Sequence, residues 1–240
     1  MELFYIPQLK EIGCEVEISG AEARHIARVL RHKAGDELLG TNGAGEEFRL
    51  VLKKVAPERV VAQVLEKRPG LREPNHRLVL AQAVLKGDKL AEVVESVTEL
   101  GVDEVIPFIC ERVVGRLTES KYRRLEGVAV SAMKSSTRTV LPRIGRLVDF
   151  DGLREVFSNF DQVIVAYEEE RKAALAKVLN RNVNKIMLVI GPEGGFTPEE
   201  IGKMNDAGAV CCSLGPRRLR AETAAITAVS IVLGLLGDLG

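Results

Sequence analysis

From residue 76 onward, buried-strand and helix patterns alternate along the chain, and this alternation restricts the fold more than any other feature. HRLVLAQAV (76–84) is an apolar run of strand length, and Asp88 can cap a helix that follows. Leu90, Val93, Val94, Val97 and Leu100 recur at helical spacing, and Gly101 stops the helix. EVIPFI (104–109) reads as the next strand, followed by a helix over about 118–134. QVIVAY (162–167), KIMLVI (185–190) and AVCCSLG (209–215) read as three further strands. They are followed by helices over about 170–180, 198–207 and 221–236. Such an order implies an α/β domain with a mostly parallel sheet covered on both faces.

Residues 1–70 obey a different rule. EFRLVLKKV (47–55) and RVVAQVLEK (59–67) form a strand pair turned by Ala56-Pro57-Glu58, and Thr41-Asn42-Gly43-Ala44-Gly45 is a second turn signal. A single helix is expected from Ala21 to Lys33, with Ile26, Val29 and Leu30 on one face. Short strands plus one helix in about 70 residues point to a small β-barrel. The segment from Arg68 to Asn75, with two prolines and a glycine, is the linker. The expected domains are 1–70 and 75–240.

The function classes narrow next. Lysine plus arginine is 34 and aspartate plus glutamate is 34, which excludes a uniformly basic nucleic-acid binder but not a locally basic one. Cysteines at 14, 110, 211 and 212 have no CxxC spacing, and only three histidines are present. No zinc pattern or disulfide framework is indicated; small buried hydrophobes in a reducing compartment are expected. The first twenty residues lack the apolar core of a signal peptide, and the apolar stretch near 224–236 is too short to span a membrane. The expectation is a cytoplasmic protein with no membrane segment and no metal.

Two loops carry the chemistry. Gly191-Pro192-Glu193-Gly194-Gly195-Phe196 follows a buried strand, and Thr197-Pro198-Glu199-Glu200 opens a helix with the residues of a capping box. Glycines at the carboxyl end of a strand let a ligand approach backbone closely, where open α/β sheets bind ligands. Neither a P-loop nor GxGxxG is present. Leu214-Gly215-Pro216-Arg217-Arg218-Leu219-Arg220 repeats the arrangement after the next strand, with three arginines suited to phosphate or carboxylate. Two such loops can wall one pocket. The helix that follows is apolar almost all round, from Ala224 to Leu236, and a subunit interface is one way to cover it.

GPEGGFTPEE and LGPRRLRAETAAITAV resemble the late motifs of SPOUT-class RNA methyltransferases, most closely the RsmE family. The resemblance extends along the chain through His25-Ile26-Ala27-Arg28-Val29-Leu30-Arg31, through Lys86 to Val102 with Lys89, Glu92 and Glu99-Leu100-Gly101, and through Ala166-Tyr167-Glu168-Glu169. It implies a PUA-like RNA-binding barrel, then a SPOUT domain with a C-terminal trefoil knot, which no periodicity indicates. It implies S-adenosylmethionine as cofactor, a homodimer across the C-terminal helices, and methylation of N3 of a uridine (uracil-1498 in that family) in 16S ribosomal RNA of the small subunit. The cofactor would be held by Ala166, Tyr167, Gly191, Pro192, Glu193, Gly194, Gly195, Leu214, Gly215, Leu219, Arg220, Thr223 and Ala224. There is one departure: Ser135 stands where the family usually has glutamine, while Ser136 and Arg138 match.

Charge distribution fits an RNA substrate. From Arg112 to Arg146 there are nine basic residues against Glu119 and Glu126. Expected RNA contacts are Arg112, Arg116, Arg123, Arg124 and Lys134, together with Arg24, His25, Arg28, Arg31 and Lys33 near the N-terminus. For catalysis, Arg138 and Arg220 are candidates to stabilise negative charge on the uracil, and Glu222 is a candidate base or orienting group. Two other classes stay open on residues alone. One is a doubly wound nucleotide-binding enzyme, disfavoured by the missing phosphate motifs. The other is a non-catalytic rRNA-binding assembly factor, which leaves the paired Gly-Pro loops without a purpose.

Overall fold

The computed structural model describes residues 2–70 and 72–239. The chain divides into two compact units, one of Met1–Glu73 with Val130–Leu141 and the other of Pro74–Ala129 with Pro142–Gly240. The first unit therefore takes in a later segment that a purely sequential division leaves out.

In the first unit, β1 (Leu3–Tyr5), β2 (Glu15–Ser19), β3 (Glu37–Thr41), β4 (Glu46–Ala56) and β5 (Arg59–Pro69) form one sheet in the order β1-β3-β4-β5-β2. Alternation along β2 (exposed, buried, exposed, buried, exposed) sends Val16 and Ile18 into a core with Phe4, Phe48, Leu50 and Val60. Register shifts between β4 and β5 at Arg49/Leu50 and Leu52/Lys54 are the irregularities that bend long paired strands and curl a sheet.

The expected helix over 21–33 is broken into two geometries. α1 covers Gly20–Arg24, and His25–Val29 is a π-helical turn in which the Leu30 amide donates to the His25 carbonyl at 3.0 Å. The wider turn changes which side chains share a face. Ile26 is fully buried, whereas Val29 is 65% exposed and Leu30 37% exposed, so the single apolar face read from the sequence does not form.

The second unit is built on a six-stranded sheet of β6 (Arg77–Ala83), β7 (Glu104–Phe108), β8 (Arg143–Ile144), β9 (Gln162–Ala166), β10 (Lys185–Ile190) and β11 (Val210–Cys212). Its order is β11-β9-β10-β6-β7-β8, and every pairing is parallel. β6 is buried from Leu78 through Ala83 and β10 from Ile186 through Ile190, as central strands covered on both faces should be. Each fully buried Leu, Ile or Val there contributes about 1.5–3 kcal/mol. The helices of this unit are α2 (Lys89–Leu100), the first part of α3 (Glu119–Ser135, whose residues from Val130 belong to the first unit), α4 (Phe150–Glu155), α5 (Leu175–Val178), α6 (Pro198–Asp206) and α7 (Ala221–Leu236). α7 packs along α2 and buries Ala221, Ala225, Ala228, Val229, Val232 and Leu233. Ile226, Ile231, Leu235 and Leu236 remain half-buried on its other faces.

Three elements depart from the expected pattern. The helix expected over 170–180 shrinks to α5, because the Glu170 carboxylate accepts from the Lys172 and Ala173 amides and turns the chain, and Ala174 then bridges to Ser213. The strand expected over 209–215 is only Val210–Cys212. Asp88 makes no side-chain cap on α2; its carboxylate accepts from Arg124 at 2.6 Å instead. The cysteines are all free, but Cys14 is exposed rather than buried. Burial pushes the Cys110 and Cys212 thiols up to about 12, so both are inert near neutrality. Among the described residues no helix is long and apolar enough to cross a membrane, and no His/Cys/Asp/Glu group is placed to hold a metal.

The ends of this unit are fastened together. Asp238 Oδ1 accepts from the Asn75 amide at 2.9 Å and Oδ2 from the His76 amide at 3.2 Å, with His76 Nδ1 at 2.6 Å. Burial would push this carboxyl up, but the hydrogen bonds from Asn75 and His76 prevail and hold it below its ordinary value.

Candidate active site

β9 lies between β10 and β11, all three parallel, so the loops after these strands leave from one edge of the sheet. They enclose a cavity of about 840 Å³. That size accommodates a nucleoside-bearing ligand, and its position outside the carboxyl ends of the strands is where open α/β sheets bind ligands.

The first wall is the loop after β10. Thr197 Oγ1 accepts from the Glu200 amide at 3.2 Å, and Glu200 Oε2 accepts from the Thr197 amide at 2.9 Å, completing the capping box. Glu200 Oε1 also accepts from the Glu111 amide at 2.8 Å. Phe196 is buried and stacked on Phe108 with ring centroids 6.3 Å apart. Arg112 Nη1 donates to the carbonyls of Gly194 at 3.0 Å and Phe196 at 3.4 Å. Gly195 sits at φ +69°, and a Cβ there would collide with the Glu168 carboxylate. The backbone conformation favours glycine, and any side chain there would also make the Glu168 carboxylate move.

The second wall is the loop after β11. The Gly215 amide donates to Ser213 Oγ at 3.2 Å, and Gly215 sits at φ +120° with open space where a Cβ would be. Arg217, Arg218 and Arg220 are exposed, and all three line the cavity. The loop after β9 adds Ala166, Tyr167, Glu168 and Glu169. Burial, together with the hydrogen bond from the Tyr167 hydroxyl to Glu169, pushes this phenol up to about 12, so it stays a neutral donor.

Of the residues expected to hold a cofactor, all line the cavity except Thr223, which is exposed on the first turn of α7. Lys89, Arg112, Glu168, Arg217 and Arg218 join them. The donor set is mixed: carboxylates that suit a cationic ligand group, guanidinium groups that suit an anionic one, and glycine backbone open to a flat ring. This composition fits S-adenosylmethionine, whose sulfonium and ammonium are cations and whose carboxylate is an anion.

The candidate catalytic groups differ in their settings. Arg220 occupies the position before α7, without a side-chain cap, and lines the cavity. Glu222 is in the first turn of α7, behind the residues that line the cavity, with its carboxylate 3.7 Å from the Lys89 ammonium. Arg138 belongs to the first unit and is almost wholly buried. Its Nε and Nη2 donate to Glu73 Oε2 at 3.0 and 2.8 Å, while Glu73 Oε1 accepts from the Thr139 and Val140 amides. This is a buried ion pair stitching residues 73 and 138–140 together.

The expected RNA contacts differ in their settings too. Arg24, Arg28, Arg31 and Lys33 are exposed near the π-turn, and Arg31 stands in the left-handed region at φ 56°. His25 pairs with Glu2 at 3.0 Å. Lys134 is engaged with Glu22 at 2.6 Å and lies over the Phe4 ring. Arg123 and Arg124 carry ion pairs on α3, Arg116 is exposed, and Arg112 holds the first wall.

Comparison with known proteins accords with this geometry. Residues 72–233 match a family model described as an RNA methyltransferase domain, and residues 18–65 match one described as an RNA methyltransferase PUA domain. The ribosomal RNA small subunit methyltransferase E of Bacillus subtilis is 33% identical over 225 residues, covering 90% of this chain and 88% of its own. Its namesake from Mycobacterium bovis is 31% identical, covering 96% of this chain and 90% of its own. The crystal structure of the enzyme of that name from Neisseria gonorrhoeae, bound to S-adenosyl methionine, superposes with a TM-score of 0.89 at 26% identity and 98% coverage of both chains. With a matched domain spanning most of its length and relatives alike from end to end, the chain belongs to the RNA methyltransferase family of ribosomal RNA small subunit methyltransferase E.

Proposed function

We propose that this chain is an S-adenosylmethionine-dependent methyltransferase acting on N3 of a uridine in 16S ribosomal RNA of the small subunit, in the cytoplasm. The observation that carries the reading is the cavity itself, walled by three loops from adjacent parallel strands, two of which turn at Gly195 and Gly215. Residues 75–240 supply the methyl-transfer domain, of SPOUT type with its C-terminal knot, and residues 1–70 the PUA-like RNA-binding module.

S-adenosylmethionine, when bound, supplies a methyl group already activated on a sulfonium. The residues of this chain do the rest. The glycine-bearing walls and Ala166, Tyr167 and Leu219 hold and orient the cofactor, and positioning supplies much of the acceleration for an in-line displacement. N3 of neutral uracil bears a proton. Glu222 accepts it, and Arg220 stabilises the negative charge that develops on the uracil carbonyl oxygens. Arg138, already committed to Glu73, acts by holding the 138–140 segment. Arg24, Arg28, Arg31 and Lys33 meet RNA phosphates.

The half-buried apolar side chains of α7 support a homodimer, since an isologous contact covers the same face twice. Ile231→Asp should split or unfold it, and sedimentation giving an active 26.2 kDa monomer for the unmodified chain would remove the dimer from the reading.

The decisive experiment is mass-spectrometric mapping of methylated uridines in small-subunit ribosomal RNA with and without the gene, paired with transfer of labelled methyl to that RNA by the purified chain. Loss and restoration of one N3-methyluridine is the expected result. An unchanged modification map would overturn the assignment.

A further inference from the structure

The charged contacts of the cavity wall converge on Lys89. This residue opens α2, and its ammonium lies 3.5 Å from Glu193 Oε1 and 3.7 Å from Glu222 Oε2. The two carboxylates come from different elements. Glu193 is in the loop after β10, and its Oε1 also accepts from the Lys86 amide at 3.1 Å. Burial pushes the Glu193 carboxyl up, but the amides of Glu193 and Lys86 and the Lys89 ammonium outweigh it and hold it below its ordinary value. Glu222 is in the first turn of α7, with a side chain 13% exposed. Its Oε2 is shielded from solvent and accepts no hydrogen bond among the described residues.

A carboxylate oxygen that is dry and unbonded is costly unless a charge faces it. Among the described residues, Lys89 is the cation within 4 Å of Glu222. The other charged side chains of these elements are Glu92, Glu95 and Glu99 on α2, Lys177 on α5 and Arg220 at the start of α7, and none of the cations among them forms an ion pair with Glu222 in this structure. Arg77 and Lys185 begin β6 and β10, at the strand ends opposite the cavity.

We infer that Lys89 is a positioning residue for methyl transfer: its ammonium fixes the Glu222 carboxylate and ties it to Glu193 in the cofactor loop. The inference rests on the reading that Glu222 accepts the N3 proton. Lys89 touches neither reacting atom in this scheme. It acts by holding an acceptor that, among the described residues, has no other partner to set its side-chain conformation, and by offsetting the repulsion between two carboxylates that flank one ammonium. Because the same ammonium faces Glu193, a shift in the cofactor loop is felt at the acceptor through one side chain.

The test uses the full chain and small-subunit ribosomal RNA. Lys89→Met, Lys89→Arg, Glu222→Gln and the Lys89→Met/Glu222→Gln double variant are compared in single-turnover methyl transfer. Cofactor affinity is followed by calorimetry. The Glu222 carboxyl carbon is followed by NMR without cofactor. Lys89→Met is expected to slow transfer about tenfold or more, the scale of a lost electrostatic contribution, while cofactor affinity changes less than about threefold. Lys89→Arg should recover most of the rate. The double variant should be no slower than Glu222→Gln alone, because a residue that acts through another has nothing left to contribute. The Glu222 resonance should move in Lys89→Met and stay near its original position in Lys89→Arg. Additive losses in the double variant would make Lys89 an independent contact and overturn the inference, as would an unmoved Glu222 resonance or an arginine variant as slow as the methionine one. Failure of the underlying reading looks different: Glu222→Gln would transfer methyl as fast as the unmodified chain, or the unmodified chain would bind cofactor and transfer no methyl to the RNA.

Discussion

The loop at 191–197 and the loop at 213–220 face the same cavity, yet they are held by very different means. The first is fixed from several sides: a guanidinium on two of its carbonyls, a buried ring stack, and a capping box that also takes the Glu111 amide. In the second, Ser213 is fastened to the backbone of Ala173 and Leu175 and bonds to Gly215, but beyond it three arginines stand in solvent. A site that must seat a small cofactor and also admit one nucleotide of a large RNA needs both properties. The pinned wall defines a shape in advance, while the arginine-rich wall can adapt to a phosphate backbone at little internal cost.

Four experiments would break or sharpen this contrast. The largest effect is expected from Gly195→Val. A branched side chain at positive φ is strained, and here it also displaces Glu168. Cofactor affinity should fall more than about a hundredfold, over ~2.7 kcal/mol. Gly215→Val meets open space, so backbone strain of about 1–3 kcal/mol is its main penalty. Calorimetry that found the two variants equally impaired would abolish the distinction between the walls.

Arg112→Ala removes a charged donor from two carbonyls and should destabilise the fold by about 1.5–3 kcal/mol, with weaker cofactor binding. Thermal unfolding is the readout, and an unchanged midpoint would mean that the ring stack and capping box suffice. Thr197→Ala should cost about 1 kcal/mol, measurable by chemical denaturation. The smallest effect on stability belongs to Arg217→Ala/Arg218→Ala: unfolding should be unaltered, but the salt dependence of RNA affinity should become shallower by up to about 2 in log–log slope. An unaffected slope would place the RNA elsewhere.

Features set by neighbouring residues were legible in the sequence. The capping box at Thr197 and Glu200 has its partners three residues apart, and the limits of α7 follow from a local apolar run. Features that depend on distant partners were not. Arg138 stood out as a cation in a basic stretch, but its partner Glu73 is 65 residues away, so nothing local announced that its guanidinium is buried in an ion pair. Lys89 lay in a motif, yet nothing near it in sequence indicates Glu193 or Glu222. The π-turn was missed for another reason. Helical periodicity assumes a constant 3.6 residues per turn, and a widened turn at His25–Val29 shifts every later side chain, leaving Val29 in solvent.

The Asp238 fastening bears on how this part of the chain can be rearranged. Because residues 75 and 76 are hydrogen-bonded to residue 238, the beginning and end of the parallel-sheet unit are spatial neighbours. Units whose boundaries meet tolerate permutation and transplantation, since a short bridge can replace the original connection. Joining 238 to 75 and opening the chain at an exposed turn such as Asn180–Asn182 should therefore preserve the cofactor cavity.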